Sequence, residues 1–268
     1  MTSLPTTTDD SDHRARAALP GLLRELHLPA MSRLWSDLAE QASSQSWSHS
    51  RFLQALVEHE VNERDQRRVL ARMKASQLPS GKTLSAFDLS CIPALKKPHI
   101  EALCAGNEWV RQAHNVLLFG PSGVGKSHLA AAIGHGLIQH GYQVFYTRAT
   151  DLIQRLQAAR RNLELPAALA KLDRFDCIVL DDLGYVPKDQ SEASVLFELI
   201  SQAYERKSLI ITCNQSFKQW DSIFPDKAMT VAAIDRIIHH STILELNVPS
   251  FRKRSAQSKN GQTKPEAA

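Results

Sequence analysis

The segment GPSGVGKSH, residues 120–128, combines residue types and a spacing that suit the binding of a triphosphate. It matches the pattern GxxxxGK[ST] between an apolar run and an alanine-rich segment. Its glycines let the backbone turn so that successive N–H groups point at phosphate oxygens. We expect the Lys126 ammonium to reach the β- and γ-phosphates and the Ser127 hydroxyl to bind Mg²⁺. The predicted nucleotide-binding residues are Gly120, Pro121, Ser122, Gly123, Val124, Gly125, Lys126, Ser127 and His128.

Two carboxylates follow a second apolar run and are candidates for metal binding and hydrolysis. The run CIVL, residues 177–180, leads directly to Asp181 and Asp182. Ligands bind at the carboxyl ends of strands in open α/β sheets. We expect Asp181 to hold Mg²⁺ through water, together with Ser127, and Asp182 to orient or deprotonate the attacking water. The alternative for either aspartate is a residue that only caps the following turn.

An amide and a guanidinium complete the candidate catalytic residues. Asn214 ends the apolar run LIITC, so its side chain is expected at the same sheet edge as Asp181. There it would align the water or sense the γ-phosphate, and a turn-forming asparagine is the alternative. Arg236 lies in an otherwise apolar helical segment. It is either an ion-pair partner of Asp235 or Glu205 or a finger that reaches into a neighbouring subunit, and the pattern does not choose between them.

Strand-like and helix-like segments alternate around these residues. Short apolar runs predict buried strands, and each is followed by a segment with helical periodicity. Strict alternation implies right-handed crossovers and a parallel sheet that is covered on both faces, which is the α/β class. The predicted strands are 115–120, 143–149, 176–182, 208–214 and 242–247. The predicted helices between them are 127–140, 151–163, 191–207 and 228–240.

The rest of the chain is predicted to form three further regions. Residues 1–18 are polar and predict a flexible leader, and 19–83 show helical periodicity typical of a small all-helical domain. The turn LPSGK precedes the α/β domain, which is placed at 84–250. Residues 251–268 predict a basic, disordered tail.

The basic residues suggest where a polyanion could bind. The net charge of the 268 residues is +4, and the tail from Arg252 onward contains five basic residues and one acidic residue. A second cluster lies near the end of the predicted N-terminal helices. It is either a solvated face or a surface that contacts DNA phosphates. Its members are Arg64, Arg67, Arg68, Arg72 and Lys74.

Several classes of protein are excluded by composition. The chain has no N-terminal apolar run of signal-peptide type and no stretch of about 18 uncharged apolar residues that would span a membrane. Its four cysteines show no CxxC pairing, which favours buried thiols and a cytoplasmic location. The histidines show no metal-binding spacing, since HEVNE at 59–63 departs from HExxH.

Four blocks of the chain resemble IstB-type transposition helper ATPases of the AAA+ class, which are related to DnaC and DnaA. The resemblance extends from about Leu19 to Phe251, and GYVP after the acidic pair and DRIIHH are specific to this group. The blocks are LLFGPSGVGKSHLAAAIG, IVLDDLGYVP, SVLFELISQAYERKSLIITCNQSFKQWDSIF and AAIDRIIHHSTILEL.

This resemblance implies a fold and a function. The fold would be a five-stranded parallel sheet of order 5-1-4-3-2, and the cofactors would be ATP and Mg²⁺. Asn214 falls at the sensor-1 position and Arg236 at the position of an arginine finger acting in trans. The family implies ATP-dependent oligomers that deform duplex DNA and direct an IstA-type transposase, with hydrolysis setting the lifetime of the assembly.

Two other functions remain open from the sequence. A DnaC-like replicative helicase loader is the nearer alternative, and a small-molecule P-loop kinase is the more distant one.

At two positions the sequence departs from the pattern of the family that it resembles. Asp182 stands where many AAA+ enzymes have glutamate, which predicts slow hydrolysis because the carboxylate is one methylene shorter. Ala203 stands where family members often have arginine, so no basic contact is expected at that position.

Overall fold

The computed structural model divides the chain between Leu70 and Ala71 into two compact units. This division falls earlier in the chain than the predicted domain boundary after residue 83. That boundary stays a prediction. Of the predicted basic tail, only Phe251 is among the described residues, so Arg252 lies outside them. The structure describes residues 7–184, 189–215, 219–220, 223 and 226–251.

The first unit is helical and has a small apolar core. It contains α1 (Thr7–Glu25), α2 (Pro29–Ser44) and the first part of α3 (His49–Ser76), which continues into the second unit. Each helix contributes apolar residues from one face, as its periodicity predicts. The buried core residues are Leu23, Met31, Leu38 and Leu56, with Leu19, Leu28, Leu34, Trp35 and Phe52 packed around them.

The helix α1 overlaps the flexible leader that is predicted at residues 1–18, of which residues 1–6 lie outside the described residues. It begins at Thr7, and the residues from His13 to Ala18 are exposed. The segment RARAAL, residues 14–19, is rich in alanine, arginine and leucine, whose high intrinsic propensities favour a helix there. The sequence reasoning relied on apolar periodicity, which this polar turn of helix lacks.

A buried carboxylate ties α3 to the start of α2. Glu60 is 3% exposed, and its Oε2 accepts hydrogen bonds from the N–H groups of Ala30 (2.8 Å) and Met31 (3.2 Å). These N–H groups belong to the first turn of α2, where no carbonyl of the helix itself can accept them. Leu28, the N-cap residue, offers no side-chain hydrogen bond, so Glu60 fills that role from another helix.

The second unit contains the sheet and its covering helices. The strands are β1 (Asn115–Phe119), β2 (Val144–Arg148), β3 (Cys177–Asp181), β4 (Ser208–Cys213) and β5 (Ser241–Glu245). The larger helices between strands are α6 (Lys126–Gln139), α7 (Ala149–Arg161), α9 (Gln190–Ala203) and α10 (Lys227–Ile238). Shorter helices are α4 (Lys97–Ala105), α5 (Asn107–Arg111) and α8 (Leu165–Ala170), with a 3₁₀ turn at Leu89–Cys91.

The five strands are all parallel and confirm the predicted order, since the sheet runs β2-β3-β4-β1-β5. Every residue of β1, β3 and β4 is buried, which explains their uninterrupted apolar sequences. In register, Val116 of β1 lies between Ile210 of β4 and Thr242 of β5. The loop after β1 therefore begins between the carboxyl ends of β4 and β5.

Right-handed crossovers place the helices on both faces of the sheet. The chain moves from β1 to β2 in one direction and then returns through β3, β4 and β5 in the other, so α6 covers one face and α7–α10 the opposite face. Leu117 and Phe119 belong to the core on the α7–α10 side. In the described residues, none of the helices is both long enough and apolar enough to cross a membrane.

We predict that Glu60→Ala destabilises the first unit by about 2 kcal/mol, because it leaves two helix N–H groups without their buried acceptor. Urea unfolding followed by circular dichroism measures the loss. Hydrogen exchange of the Ala30 and Met31 amides should accelerate with it. Glu58→Ala is the matched control, since Glu58 is exposed on the same helix. Equal unfolding midpoints for the two variants would contradict the capping role.

Candidate functional site

The turn between β1 and α6 has backbone conformations that favour glycine. Gly120 has φ 146° and Gly125 has φ 107°. A Cβ at Gly120 would lie 2.5 Å from the Leu246 carbonyl oxygen, so a side chain there would displace the segment that follows β5. Gly125 is the N-cap of α6, whose first-turn N–H groups and positive dipole end lie at the loop. This geometry is that of an anion-binding loop.

Lys126 lies across the same loop. The residue is 5% exposed, and its Nζ donates to the carbonyl oxygens of Gly120 (2.7 Å) and Pro121 (3.0 Å). The ammonium is thus held at the loop that the triphosphate would occupy, and phosphate oxygens could replace the two carbonyls as acceptors. The glycine loop and Lys126 therefore fit a nucleoside triphosphate.

A cavity of about 630 Å³ lies beside the loop and collects most of the predicted site residues. Its size is within the range of small-molecule binding sites. Residues 122–128 line one side, and Asp182 and Asn214 line it from the ends of two neighbouring strands, β3 and β4. The parallel sheet thus brings the loop, a carboxylate and an amide to one edge, as the sequence predicts. The roles assigned to them stay predictions.

Asp181 lies behind Asp182 and is held by two hydroxyl groups. It is 5% exposed, its Oδ2 accepts from the Tyr146 hydroxyl and its Oδ1 from the Thr212 hydroxyl, each at 2.6 Å. Burial, followed by the hydrogen bond to Asp181, raises the pKa of Tyr146 far above its usual value. The phenol therefore stays protonated at neutral pH and donates to Asp181. Tyr146 and Thr212 orient the carboxylate, and sequence reasoning did not identify them.

Asp182 occupies a less common backbone conformation. Its φ of 58° lies in the left-handed region, and its N–H donates to the Thr212 hydroxyl at 2.9 Å. The Leu183 N–H donates to the Thr212 carbonyl, so the chain leaves β3 while still bonded to β4. This turn places Asp182 in the cavity lining while Asp181 remains buried. Non-glycine residues at positive φ are concentrated at functional sites.

The donor set at the loop also fits Mg²⁺. Ser127 contributes a hydroxyl to the cavity, and Asp181 contributes a carboxylate fixed in orientation by its two hydroxyl partners. Hydroxyl, carboxylate, phosphate and water oxygens are the ligands that this small, hard cation prefers. A buried carboxylate set back from the cavity suits a water-mediated contact.

The segment before α4, within residues 83–92, forms a wall of the cavity that sequence reasoning missed. His128 Nε2 lies 3.0 Å from the Thr83 carbonyl oxygen, and the Phe87 ring meets the His128 ring edge to face at 5.1 Å. Phe87, Cys91 and Ile92 line the cavity and supply apolar surface beside the loop. This surface suits the base or sugar of a nucleotide. Only the fold brings it to the loop, so periodicity and spacing carry no signal of it.

Two further segments complete the cavity. Arg148 and Thr150 line it from the end of β2 and the start of α7. After β5, the Phe251 N–H donates to the Gly123 carbonyl at 2.9 Å, and Val248 and Phe251 line the opposite side. The segment that follows the last strand is therefore part of the nucleotide cavity. The sequence prediction had placed the domain limit just before Phe251.

Arg236 is not part of the cavity lining. It lies near the end of α10, just before β5 begins, and so at the amino edge of the sheet. Its guanidinium carbon lies 4.7 Å from the centre of the Phe197 ring, and within the described residues its buried Nη1 has no hydrogen-bond partner. The ion pairs found among those residues do not include one from Arg236 to Asp235 or Glu205. The guanidinium is thus distant from the nucleotide loop of its own chain.

The predicted basic cluster is partly engaged in ion pairs. Arg64 and Arg67 approach Glu60 Oε1 at 3.6 and 3.4 Å, and Arg68 approaches Asp65 at 3.2 Å. The Arg68–Asp65 pair joins two exposed side chains and contributes little to stability, whereas the exposed Arg64 and Arg67 pair with the buried carboxylate of Glu60. The remaining members, Arg72 and Lys74, are half-buried and exposed, respectively. DNA binding by this cluster stays a prediction.

Comparison with known proteins identifies a family to which the chain is similar over most of its length. Residues 21–259 match the family model of IstB-like ATP binding proteins. A Sinorhizobium fredii protein named as an insertion sequence ATP-binding protein is 52% identical over 94% of this chain and 85% of its own length. The IS21 ATP-binding protein of Pseudomonas aeruginosa is 35% identical over 91% of each chain.

Solved structures show the same fold at lower sequence identity. AMPPCP-bound DnaA from Aquifex aeolicus has a TM-score of 0.54 at 17% identity, over 72% of this chain and 58% of that chain. DnaI has a TM-score of 0.51 at 20% identity, over 64% of this chain and 95% of that chain. The fold and the loop define a P-loop protein of the AAA+ class. Within that class, the chain belongs to the family of IstB-like ATP binding proteins of insertion sequences.

The cysteines provide a probe of the cavity. All four are free thiols, and Cys104, Cys177 and Cys213 are buried, as predicted. Burial raises the pKa of Cys104 to about 11 and raises the pKa of Cys177 and Cys213, which suppresses their reactive thiolates. Cys91 is half-buried and lines the cavity.

We predict that N-ethylmaleimide modifies Cys91 before the other cysteines in the folded protein and that ATP slows this reaction several-fold. Peptide mass spectrometry after timed quenching measures both rates. Cys91→Ser is the control, because it should leave only slow labelling that nucleotide does not change. An identical rate for Cys91 with and without saturating ATP would place the nucleotide elsewhere.

Proposed function

We propose that this protein binds and hydrolyses ATP, assembles with further copies on duplex DNA, and assists the transposase of an insertion sequence. One observation carries the proposal. Asp182, Asn214 and the phosphate loop line one cavity, whereas Arg236 lies at the other edge of the sheet. A site divided in this way suits completion by a second copy.

The residues of the loop bind the triphosphate. The backbone N–H groups of the loop, Pro121 excepted, donate hydrogen bonds to its phosphate oxygens, and Lys126 exchanges its two carbonyl partners for the β- and γ-phosphate oxygens. Ser127 and Asp181 would hold Mg²⁺, which would neutralise part of the phosphate charge. Tyr146 and Thr212 keep the Asp181 carboxylate in one orientation.

Asp182 and Asn214 act on the attacking water. Asp182 accepts its proton or orients it, and Asn214 aligns it with the γ-phosphate from the neighbouring strand. Aspartate reaches less far than the glutamate common in this class, which predicts slow turnover. A slow rate of ATP hydrolysis gives a long lifetime to an assembly that hydrolysis ends.

Arg236 acts on the nucleotide of the neighbouring copy. A guanidinium suits this role because it stays charged and binds phosphate oxygens with two parallel hydrogen bonds. ATP at the interface between two copies then links them, and hydrolysis removes the γ-phosphate that Arg236 contacts. Nucleotide state and assembly are thereby coupled.

The arginines and Lys74 of α3 bind the phosphates of duplex DNA. Each contact is weak and salt-sensitive, but assembled copies sum them. Bending a duplex by some tens of degrees costs on the order of a few kcal/mol, which such a sum can offset. The partner is a transposase of the IstA type, because the relatives are named as proteins of insertion sequences. A helicase loader is the alternative, and co-purification with a transposase or with a replicative helicase separates the two.

We predict that Lys126→Ala abolishes ATP binding and assembly on DNA together. We expect Asp182→Asn to bind ATP and assemble but to lose hydrolysis by roughly 10²–10⁴-fold, the usual contribution of a general base. Fluorescent-nucleotide titration, sedimentation with duplex DNA and phosphate release measure the three properties. If Lys126→Ala coats DNA as the unmodified protein does, assembly does not depend on ATP.

We further predict that Arg236→Ala retains ATP binding but loses hydrolysis by about 10³-fold, as for other arginine fingers. Mixing it with Asp182→Asn should restore part of the rate, because an intact cavity from one chain then meets an intact Arg236 from the other. Phosphate release with duplex DNA measures the recovery. A mixture of Asp182→Asn with Lys126→Ala is the control, since both chains have damaged cavities. A mixed rate equal to the sum of the separate rates would show that Arg236 does not act in trans.

A further inference from the structure

A cluster of histidines and a glutamate lies at the edge of the sheet opposite the nucleotide cavity. Glu205 precedes β4, His114 precedes β1, and His239 and His240 precede β5. Because β1 lies between β4 and β5, the amino ends of these strands bring residues from three distant parts of the chain together. The sequence shows no metal-binding spacing at these positions, so only the topology identifies the cluster.

The ligand atoms of this cluster are close and accessible. One carboxylate oxygen of Glu205 and one ring nitrogen each of His239 and His240 lie within 4.8 Å of one another, and all three residues are exposed. The His239 and His240 rings are 4.0 Å apart, and His114 stacks on His240 at 4.9 Å with an interplanar angle of 14°. The stack restricts the orientation of the His240 ring.

We propose that Glu205, His239 and His240 bind a divalent transition-metal ion, of which Zn²⁺ is the representative. Two imidazoles and a carboxylate are a donor set that zinc uses when three protein ligands leave the fourth position to water. Metal–ligand bonds of about 2.0–2.2 Å require tetrahedral ligand atoms about 3.4 Å apart, so atoms that lie within 4.8 Å of one another must close in by at most about 1.4 Å. The exposed Glu205 side chain can rotate toward the histidines, whose rings need only small shifts within the stack.

Tyr204 contacts one of the proposed ligands, His239, and positions its ring. Its hydroxyl oxygen lies 3.1 Å from His239 Nδ1. With the proton on Nδ1, His239 donates to Tyr204 and presents an unprotonated Nε2 to the metal. Partners of this kind fix the tautomer and orientation of a ligating histidine. The site lies away from the ATP cavity, so it does not depend on the proposed ATPase function.

The alternative is that the histidines only interact with the carboxyl end of α10, where cations are favoured by the helix dipole. That role predicts no metal binding. His140 offers a matched comparison, because it is the exposed C-cap residue of α6, as His239 is of α10, and it belongs to no cluster of ligating side chains in the described residues.

Titration of the full-length, tag-free protein with Zn²⁺ by calorimetry tests the proposal, and Co²⁺ absorption identifies the ligands. We expect one ion per chain and a cobalt spectrum of nitrogen and oxygen ligands without thiolate bands. His239→Ala and His240→Ala should each weaken binding at least tenfold, and Tyr204→Phe by about tenfold, the lower range for an outer partner. His140→Ala should leave affinity unchanged.

Circular dichroism and ATP affinity of each variant control for folding, since the substituted ligands are exposed and lie outside the cavity. Unchanged zinc affinity and stoichiometry in a folded His239→Ala, His240→Ala double variant would overturn the proposal. Absence of zinc binding by the unmodified protein would overturn it as well. Loss of binding in the double variant with normal ATP affinity would support it and would leave the ATPase proposal untouched.

Discussion

Parallel strand order is the constraint on which the rest of this chain depends. In a parallel sheet every carboxyl end lies at one edge and every amino end at the other. With β1 between β4 and β5, the loop after β1 opens beside Asp182 and Asn214, and the segment after β5 packs against Gly120 and Gly123. The same order collects different residues at the other edge, among them Arg236 and the histidine cluster. One topology thus separates two groups of chemically active side chains within each chain.

The charged groups near the nucleotide cavity are held by hydrogen bonds that the backbone and neighbouring strands provide. Asp181 and Lys126 are each 5% exposed, and an unpaired charge so buried would be strongly destabilising. Hydroxyls from β2 and β4 stabilise the carboxylate, and loop carbonyls stabilise the ammonium. Because those carbonyls belong to the loop itself, binding of phosphate exchanges one set of acceptors for another rather than exposing a bare charge. The site is therefore organised before the ligand arrives.

The sequence predicted those parts of the structure that depend on local pattern. The apolar runs of β1, β3 and β4 are fully buried strands, and the glycine spacing after β1 gives the expected loop. The missed features arise from contacts between distant segments. Phe87 reaches the loop only through tertiary packing, and Tyr146 meets Asp181 only because β2 and β3 are neighbours. The helix over the polar residues before Leu19 was missed for a different reason, since the propensity of the segment RARAAL rather than apolar periodicity favours it.

The environment of Arg236 bears on how copies of this chain interact. A buried donor without an acceptor costs about 1–3 kcal/mol, whereas stacking of a guanidinium on an aromatic ring returns about 0.5–2 kcal/mol. The contact with Phe197 therefore offsets only part of the free-energy cost of the unpartnered Nη1, because the ring holds the guanidinium but provides no hydrogen-bond acceptor for that nitrogen. Because Nη1 is buried, an anion from outside the chain can reach it only if the guanidinium moves away from the Phe197 ring. A γ-phosphate at the proposed interface between copies would provide an acceptor for a guanidinium that moves in this way, and its loss on hydrolysis would remove that acceptor. This difference provides a physical reason for an assembly to respond to the state of its nucleotide.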